Sequence, residues 1–118
     1  MLTVYGIPNC DTIKKARTWL DNHSIAYTFY DYRKEALPAA TVKKWFKVFP
    51  WDKVVNKAST TWKELSDEER AAVVDEKSAA KLIVQHTTVV KRPVIEDASG
   101  KAVTLGFSEK MYEEKFLS

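Results

Sequence analysis

The first 32 residues constrain the fold most. Leu2-Thr3-Val4-Tyr5 is short, β-branched and aromatic, and Gly6 and Pro8 close it, as they would close a strand. Asn9, Asp11 and Thr12 are residue types that cap helix starts. Ile13, Ala16 and Leu20 then recur at helical spacing, with Trp19 beside them. This predicts a helix over 11–22, ended by Asn22-His23-Ser24. Tyr27-Thr28-Phe29-Tyr30-Asp31-Tyr32 predicts a second strand. A strand, a helix and a strand in so short a span make a βαβ unit, whose two strands lie parallel.

The middle of the chain changes character. Val42, Trp45, Phe46 and Phe49 fall at i, i+3, i+4 and i+7, and Ala79, Leu82, Ile83 and His86 repeat that stripe. Ser66-Asp67-Glu68-Glu69 has the form of a capping box. Residues 38–86 therefore predict several short helices, broken at Pro50 and around 56–61. Strands return at Pro93-Val94-Ile95-Glu96 and Ala102-Val103-Thr104-Leu105. They flank Ala98-Ser99-Gly100-Lys101, which predicts a hairpin. Ser108 is placed to cap a last helix with Met111, Tyr112 and Phe116 on one side. The order β-α-β, helices, β-β-α fits an α/β chain with a thioredoxin-like core, a mixed four-stranded sheet and an inserted helical subdomain. The expected organisation is one domain over 1–118, with the insertion at about 36–88.

A length of 118 residues and an apolar share of 45% support an ordinary core. The net charge of +3 is mild and the lysines are spread, so no basic arm points to nucleic acid. A modest positive field favours an anionic small substrate or cofactor. No stretch is apolar enough to span a membrane, and Met1–Tyr5 lacks the basic start and apolar run of a secretory signal. The expectation is a cytoplasmic monomer.

Chemistry centres on the single cysteine. One cysteine forms no intrachain disulfide and no cysteine-based zinc site. Cys10 falls between the first strand and the first helix, where unpaired helical N–H groups and the helix dipole favour a negative charge. That position lowers a thiol's pKa, and Lys14 and Lys15 add to the effect if they face it. The competing reading is a small apolar filler. Gly6, Pro8, Asn9 and Asp11 favour an exposed loop instead. Ile13 stands where a Cys-x-x-Cys pair would have its second thiol, so dithiol exchange within one chain is excluded. A monothiol cycle with glutathione or another outside thiol remains.

Arg92, before Pro93, is either a bidentate partner for a carboxylate or oxyanion or a solvated surface residue, and the residues alone leave the two even. On base rates the Arg92–Pro93 bond is trans. His86 reads as a packed residue or dipole partner and His23 as solvated, so no metal site is expected. Thr60-Thr61-Trp62 reads as a helix cap with a packed indole, and the four tryptophans read as core.

Tyr5-Gly6-Ile7-Pro8-Asn9-Cys10-Asp11-Thr12-Ile13-Lys14-Lys15-Ala16-Arg17-Thr18-Trp19-Leu20 resembles the start of the ArsC/Spx family, in its YffB-like branch. Asn56-Lys57, Thr60-Thr61-Trp62, Lys91-Arg92-Pro93 and Leu105-Gly106-Phe107-Ser108 continue the resemblance in order through nearly the whole chain. The resemblance implies a thioredoxin-like fold with a helical insertion, a nucleophilic Cys10, Arg92 beside it, and a cis Arg92–Pro93 bond. It implies a glutathione-dependent thiol/disulfide reductase, with glutathione as co-substrate. Asn9, Asp11, Thr12, Ile13, Lys14, Asn56, Lys57, Pro93 and Gly106 are the expected substrate or glutathione contacts.

Two departures matter. Arsenate reductases of this type hold the oxyanion with three arginines. Here only Arg92 matches, with Asn56 and Gly106 at the other two positions. Each lost charged donor costs roughly 1.5–3 kcal/mol of oxyanion binding, so the pair costs about two to four decades. Spx regulators carry a Cys-x-x-Cys switch, which Ile13 removes. The alternatives to a thiol reductase are an arsenate reductase with a degraded oxyanion site and an Spx-like, non-enzymatic regulator that docks on a protein.

Overall fold

A computed structural model describes residues 1–118. In chain order the elements are β1 (Leu2–Gly6), α1 (Asp11–Asn22), β2 (Tyr27–Asp31), α2 (Ala39–Phe46), α3 (Trp51–Val54) and α4 (Thr60–Glu64). They continue with α5 (Asp67–Ala71), α6 (Glu76–Gln85), a 3₁₀ turn (Thr87–Val89), β3 (Val94–Glu96), β4 (Ala102–Leu105) and α7 (Glu109–Phe116). The chain forms two compact units. One comprises Met1–Glu35 and Arg92–Ser118, the other Ala36–Lys91.

The first unit carries a mixed four-stranded sheet of order β2-β1-β3-β4. β1 runs parallel to β2 and antiparallel to β3, and β4 completes a hairpin with β3. Val4 and Ile95 pair across the sheet and join Ala16, Trp19 and Leu20 of α1 and Tyr112 of α7 in one buried core. Aromatic edges interlock there. Tyr112 meets Trp19 at 5.4 Å and Phe107 at 4.9 Å, both edge to face. Pairs of that geometry add roughly 0.5–1.5 kcal/mol each beyond the area they bury.

The start of α1 differs from the sequence expectation. Its N-cap is Cys10 itself, in an extended conformation (φ −145°, ψ 125°), rather than Asn9, Asp11 or Thr12. Asp11 is instead the first helical residue, where its carboxylate complements the helix dipole. His23 is exposed, yet its ring stacks on Trp19 at 4.0 Å and its Nδ1 lies 2.8 Å from the Trp19 carbonyl. β2 ends at Asp31, although the Tyr32 N–H still donates to the Gly6 carbonyl at 3.2 Å.

In the second unit α2 packs on α6, burying Val42, Trp45, Ala79 and Ile83. The capping box at Ser66 and Glu69 is formed, and Asp75 with Ser78 forms another at the start of α6. α4 is capped by Ser59, whose Oγ accepts from the Trp62 N–H at 3.1 Å, so Thr60 and Thr61 lie inside the helix rather than capping it. Trp19 and Trp45 are core, whereas Trp51 and Trp62 are only half-buried, contrary to the expectation of four core indoles.

Gly6 fixes the approach of α1 to the sheet. A Cβ at this position would lie 2.3 Å from Ile13 Cδ1, so the helix sits closer than any side chain at residue 6 permits. Gly6→Ala is expected to destabilise by about 1–3 kcal/mol through overpacking. Adding Ile13→Val, which deletes the clashing Cδ1, should recover part of that loss. Urea unfolding of both single variants and the double would reveal the coupling; strict additivity would mean that the Gly6–Ile13 contact does not set the packing.

Candidate functional site

The β1–α1 junction presents Cys10 half-buried at the head of a twelve-residue helix. The thiol makes no capping hydrogen bond with the first turn. A thiol is a weak acceptor, whereas a thiolate is a full negative charge. Several influences act on the sulfur. Burial pushes its pKa up. The Ile13 amide, the Arg92 guanidinium as donor and as charge, and the Thr12 amide together outweigh burial, and they hold Cys10 below the ordinary cysteine value. Ionisation of Cys10 thus supplies the acceptor that the α1 N-terminus otherwise lacks.

Arg92 enters from the start of β3. Its bond to Pro93 is cis. Pro93 is buried, and its carbonyl accepts from the Gly106 N–H at 2.9 Å. Gly106 is buried with φ 79°, in the left-handed region that glycine tolerates best. Its carbonyl in turn accepts from the Tyr112 hydroxyl at 3.1 Å. The loop carrying Arg92 is therefore tied through Gly106 to the aromatic core.

The remaining expected residues are distributed unevenly. Asn9 and Asp11 are exposed on either side of Cys10. Thr12 and Ile13 reach the sulfur through their amides only, because the Ile13 side chain is fully buried over Gly6. Lys14 is exposed and lines, with Lys15, Trp19 and Phe107, a groove of about 560 Å³. Neither Cys10 nor Arg92 forms part of that groove's wall. Asn56 and Lys57 belong to the helical unit. The Asn56 side chain accepts from the Ala58 N–H at 3.0 Å, closing a local turn. The Lys57 ammonium lies 6.0 Å from the Trp51 ring and 5.7 Å from the Trp62 ring. No cluster of His, Cys, Asp or Glu has the makings of a metal site, and no helix is long and apolar enough to cross a membrane.

Tyr32 is the residue that the sequence reading left as a strand position. Its side chain is only 3% exposed, and the Arg92 guanidinium and the Cys10 sulfur both act on its hydroxyl. The signal was positional: pairing β1 with β2 in parallel brings the residues after Gly6 and after Asp31 to the same end of the sheet.

A mixed four-stranded sheet whose β1–α1 junction carries the one cysteine defines a protein of the thioredoxin-like fold. Residues 5–115 match the ArsC family, and the chain belongs to it. It is 43% identical to an uncharacterized protein of Haemophilus influenzae over 116 residues, 98% of this chain and 99% of that one. Among solved structures it superposes on the YffB (PA3664) protein with a TM-score of 0.90 at 35% identity, covering 98% of each chain. An arsenate reductase (ArsC) related protein from Brucella melitensis is 46% identical with a TM-score of 0.74, covering 98% of this chain and 93% of that one. The global transcriptional regulator Spx of Bacillus subtilis is more distant, at 25% identity over 111 residues, 92% of this chain and 82% of that one.

Arg92→Met should raise the pH at which Cys10 becomes reactive towards iodoacetamide, moving it towards the ordinary cysteine range near 8.5. An unchanged profile would remove Arg92 from the site. A linked effect follows for stability. A depressed folded-state pKa stabilises the fold above the unfolded cysteine value, and that contribution is lost as pH falls through the folded value. The stability difference between the native chain and Cys10→Ser, measured by urea unfolding, should therefore shrink on acidification.

Proposed function

We propose that this protein is a cytoplasmic, monomeric, glutathione-dependent thiol/disulfide reductase with Cys10 as nucleophile. The observation that carries the reading is a sole cysteine placed at a helix N-terminus with a guanidinium against it. The Cys10 thiolate attacks a substrate disulfide. One half leaves as a thiolate and the other stays bonded to Cys10. A glutathione thiolate attacks Cys10 of that mixed disulfide and expels the second half. Another glutathione thiolate then attacks the glutathione sulfur of that Cys10–glutathione disulfide, expelling the Cys10 thiolate and releasing oxidised glutathione. Two glutathione thiols are oxidised for each disulfide reduced to two thiols.

Each residue has a part in this scheme. The Thr12 and Ile13 amides and the Arg92 guanidinium stabilise anionic sulfur on Cys10 before attack and on its release. Pro93 and Gly106 hold Arg92 in place, and Asn9 and Asp11 border the entry. Lys14 or Lys57 takes a glutathione carboxylate. The substitution of Asn56 and Gly106 for two oxyanion-binding arginines supports a disulfide rather than arsenate as substrate.

Cys10→Ser is expected to abolish turnover in a glutathione-coupled disulfide assay while leaving the circular dichroism spectrum intact. Oxidised glutathione should add one glutathione to the native chain by intact mass and none to the variant. Full activity in Cys10→Ser would rule the mechanism out. Faster turnover of arsenate than of disulfides, with glutathione and glutaredoxin present, would instead identify an oxyanion reductase.

A further inference from the structure

We propose that the groove between α1 and the start of α7 is the docking site of the disulfide substrate, and that this substrate is an acidic peptide segment rather than a small neutral disulfide. The proposal rests on the reading of Cys10 as the nucleophile.

The groove, of about 560 Å³, lies wholly within the unit that carries the sheet. Lys15, Trp19 and Asn22, at i, i+4 and i+7, line it from α1. Phe107 and Glu109 line it from the β4–α7 loop and the first turn of α7. Its apolar surface is held in place, because Trp19 and Phe107 both meet the fully buried Tyr112 edge to face. Its charged groups are free. Lys14, Lys15 and Glu109 are exposed, and none of them hydrogen-bonds or ion-pairs through its side chain.

Charge, shape and position select the occupant. Two neighbouring ammonium groups border the apolar surface on the α1 side, and the carboxylate of Glu109 stands at the first residue of α7. An acidic group is therefore drawn to α1 and repelled from α7, which orients a chain entering the groove. A small ligand favours a pocket that encloses most of its surface. Here Lys14, Lys15, Thr18 and Asn22 are all exposed, so the groove is open along its length, as a passing chain requires. From Lys14 to Asn22 the helix rises about 12 Å, the span of about four extended residues.

The groove also continues from the nucleophile. The Lys14 N–H donates to the Cys10 carbonyl at 3.0 Å and closes the first turn of α1, so the groove begins one turn beyond the thiol. A peptide sulfur bonded to Cys10 sets its neighbouring residues at that entrance. An acidic residue beside the substrate cysteine meets Lys14 and Lys15. An apolar residue further along meets Phe107 and the edge of Trp19.

The test uses a terminally blocked peptide, Phe-Ala-Asp-Cys-Asp-Ala-Phe, carried as its disulfide with 2-thiopyridine. Its symmetry lets either chain direction present an aspartate to the lysines. The Cys10 thiolate attacks the peptide sulfur, the bond to the pyridine sulfur breaks, and the released 2-thiopyridone is read by its absorbance. A second peptide has Asn for both Asp. Second-order rate constants are measured at low ionic strength for the native chain, Lys15→Gln and Lys101→Gln. Lys101 is exposed in the β3–β4 turn, at the far end of β3 from Arg92.

The acidic peptide should react about tenfold faster than the neutral one, two exposed ion pairs at roughly threefold each. That ratio should fall about threefold in Lys15→Gln and keep its native value in Lys101→Gln. A ratio near one, with both peptides reacting, overturns the proposal and leaves the nucleophile standing. An equal fall in Lys101→Gln also overturns it, because the overall charge of the chain then accounts for the preference. Reaction with neutral 2-hydroxyethyl 2-pyridyl disulfide but with neither peptide overturns the docking site alone. No reaction with any of the three disulfides overturns the docking site and the proposed function together.

Discussion

The seat of α1 on β1 at Gly6 is the contact on which the site depends. Because residue 6 has no Cβ, Ile13 packs over the strand backbone and the helix begins within a few residues of the strand's end. That leaves Cys10 as the hinge between the two elements, extended in its own backbone and facing the free N–H groups of the first turn. A wider spacing between helix and strand would move the Ile13 and Thr12 amides away from the sulfur. The electrostatics of the thiol are in this sense a consequence of core packing.

Arg92 arrives at the same point by a different route. β3 pairs antiparallel to β1 with Tyr5 opposite Val94, so the residues preceding β3 lie level with the loop following β1. Antiparallel pairing to one neighbour and parallel pairing to the other brings three chain segments to one end of the sheet. They are the loop after β1, the residue after β2 and the residues before β3. Cys10, Tyr32 and Arg92 occupy those three places. None of the three is close to another in sequence; parallel pairing brings Tyr32 level with the loop that carries Cys10, and the antiparallel direction of β3 brings Arg92 to the same end.

Much of this was legible in the sequence. The βαβ start, the short helices and the hairpin were carried by patterns that local physics enforces: alternation, 3.6-residue spacing and turn chemistry. The helix over Asp11–Asn22 and the cap at Ser108 match in detail. Cys10 could be located from composition and position alone. The helix caps were less legible, since Asn9, Asp11 and Thr12 are all good cap residues and only backbone geometry selects Cys10. Arg92 beside Cys10 followed from resemblance and not from periodicity, because pairing across some eighty positions leaves no local trace. Tyr32 was missed because an aromatic residue just past a strand looks the same whether its hydroxyl is exposed or, as here, buried.

The packing also bears on the two departures from the chemistries that the family resemblance implies, one thiol in place of two and one arginine in place of three. The side chain at position 13 is fully buried and fills the space above Gly6. A cysteine there would give up most of the volume that seats α1, and large-to-small changes in such cores cost on the order of 2–5 kcal/mol. Gly106, which the family resemblance aligns with an oxyanion-binding arginine, is buried at φ 79° and bonded to Pro93. A non-glycine residue held in that conformation costs roughly 1–3 kcal/mol. The two departures from related chemistries are thus embedded in the backbone and core that position Cys10. Reversing either one would disturb its surroundings, the seat of α1 in the one case and the turn that holds Pro93 in the other.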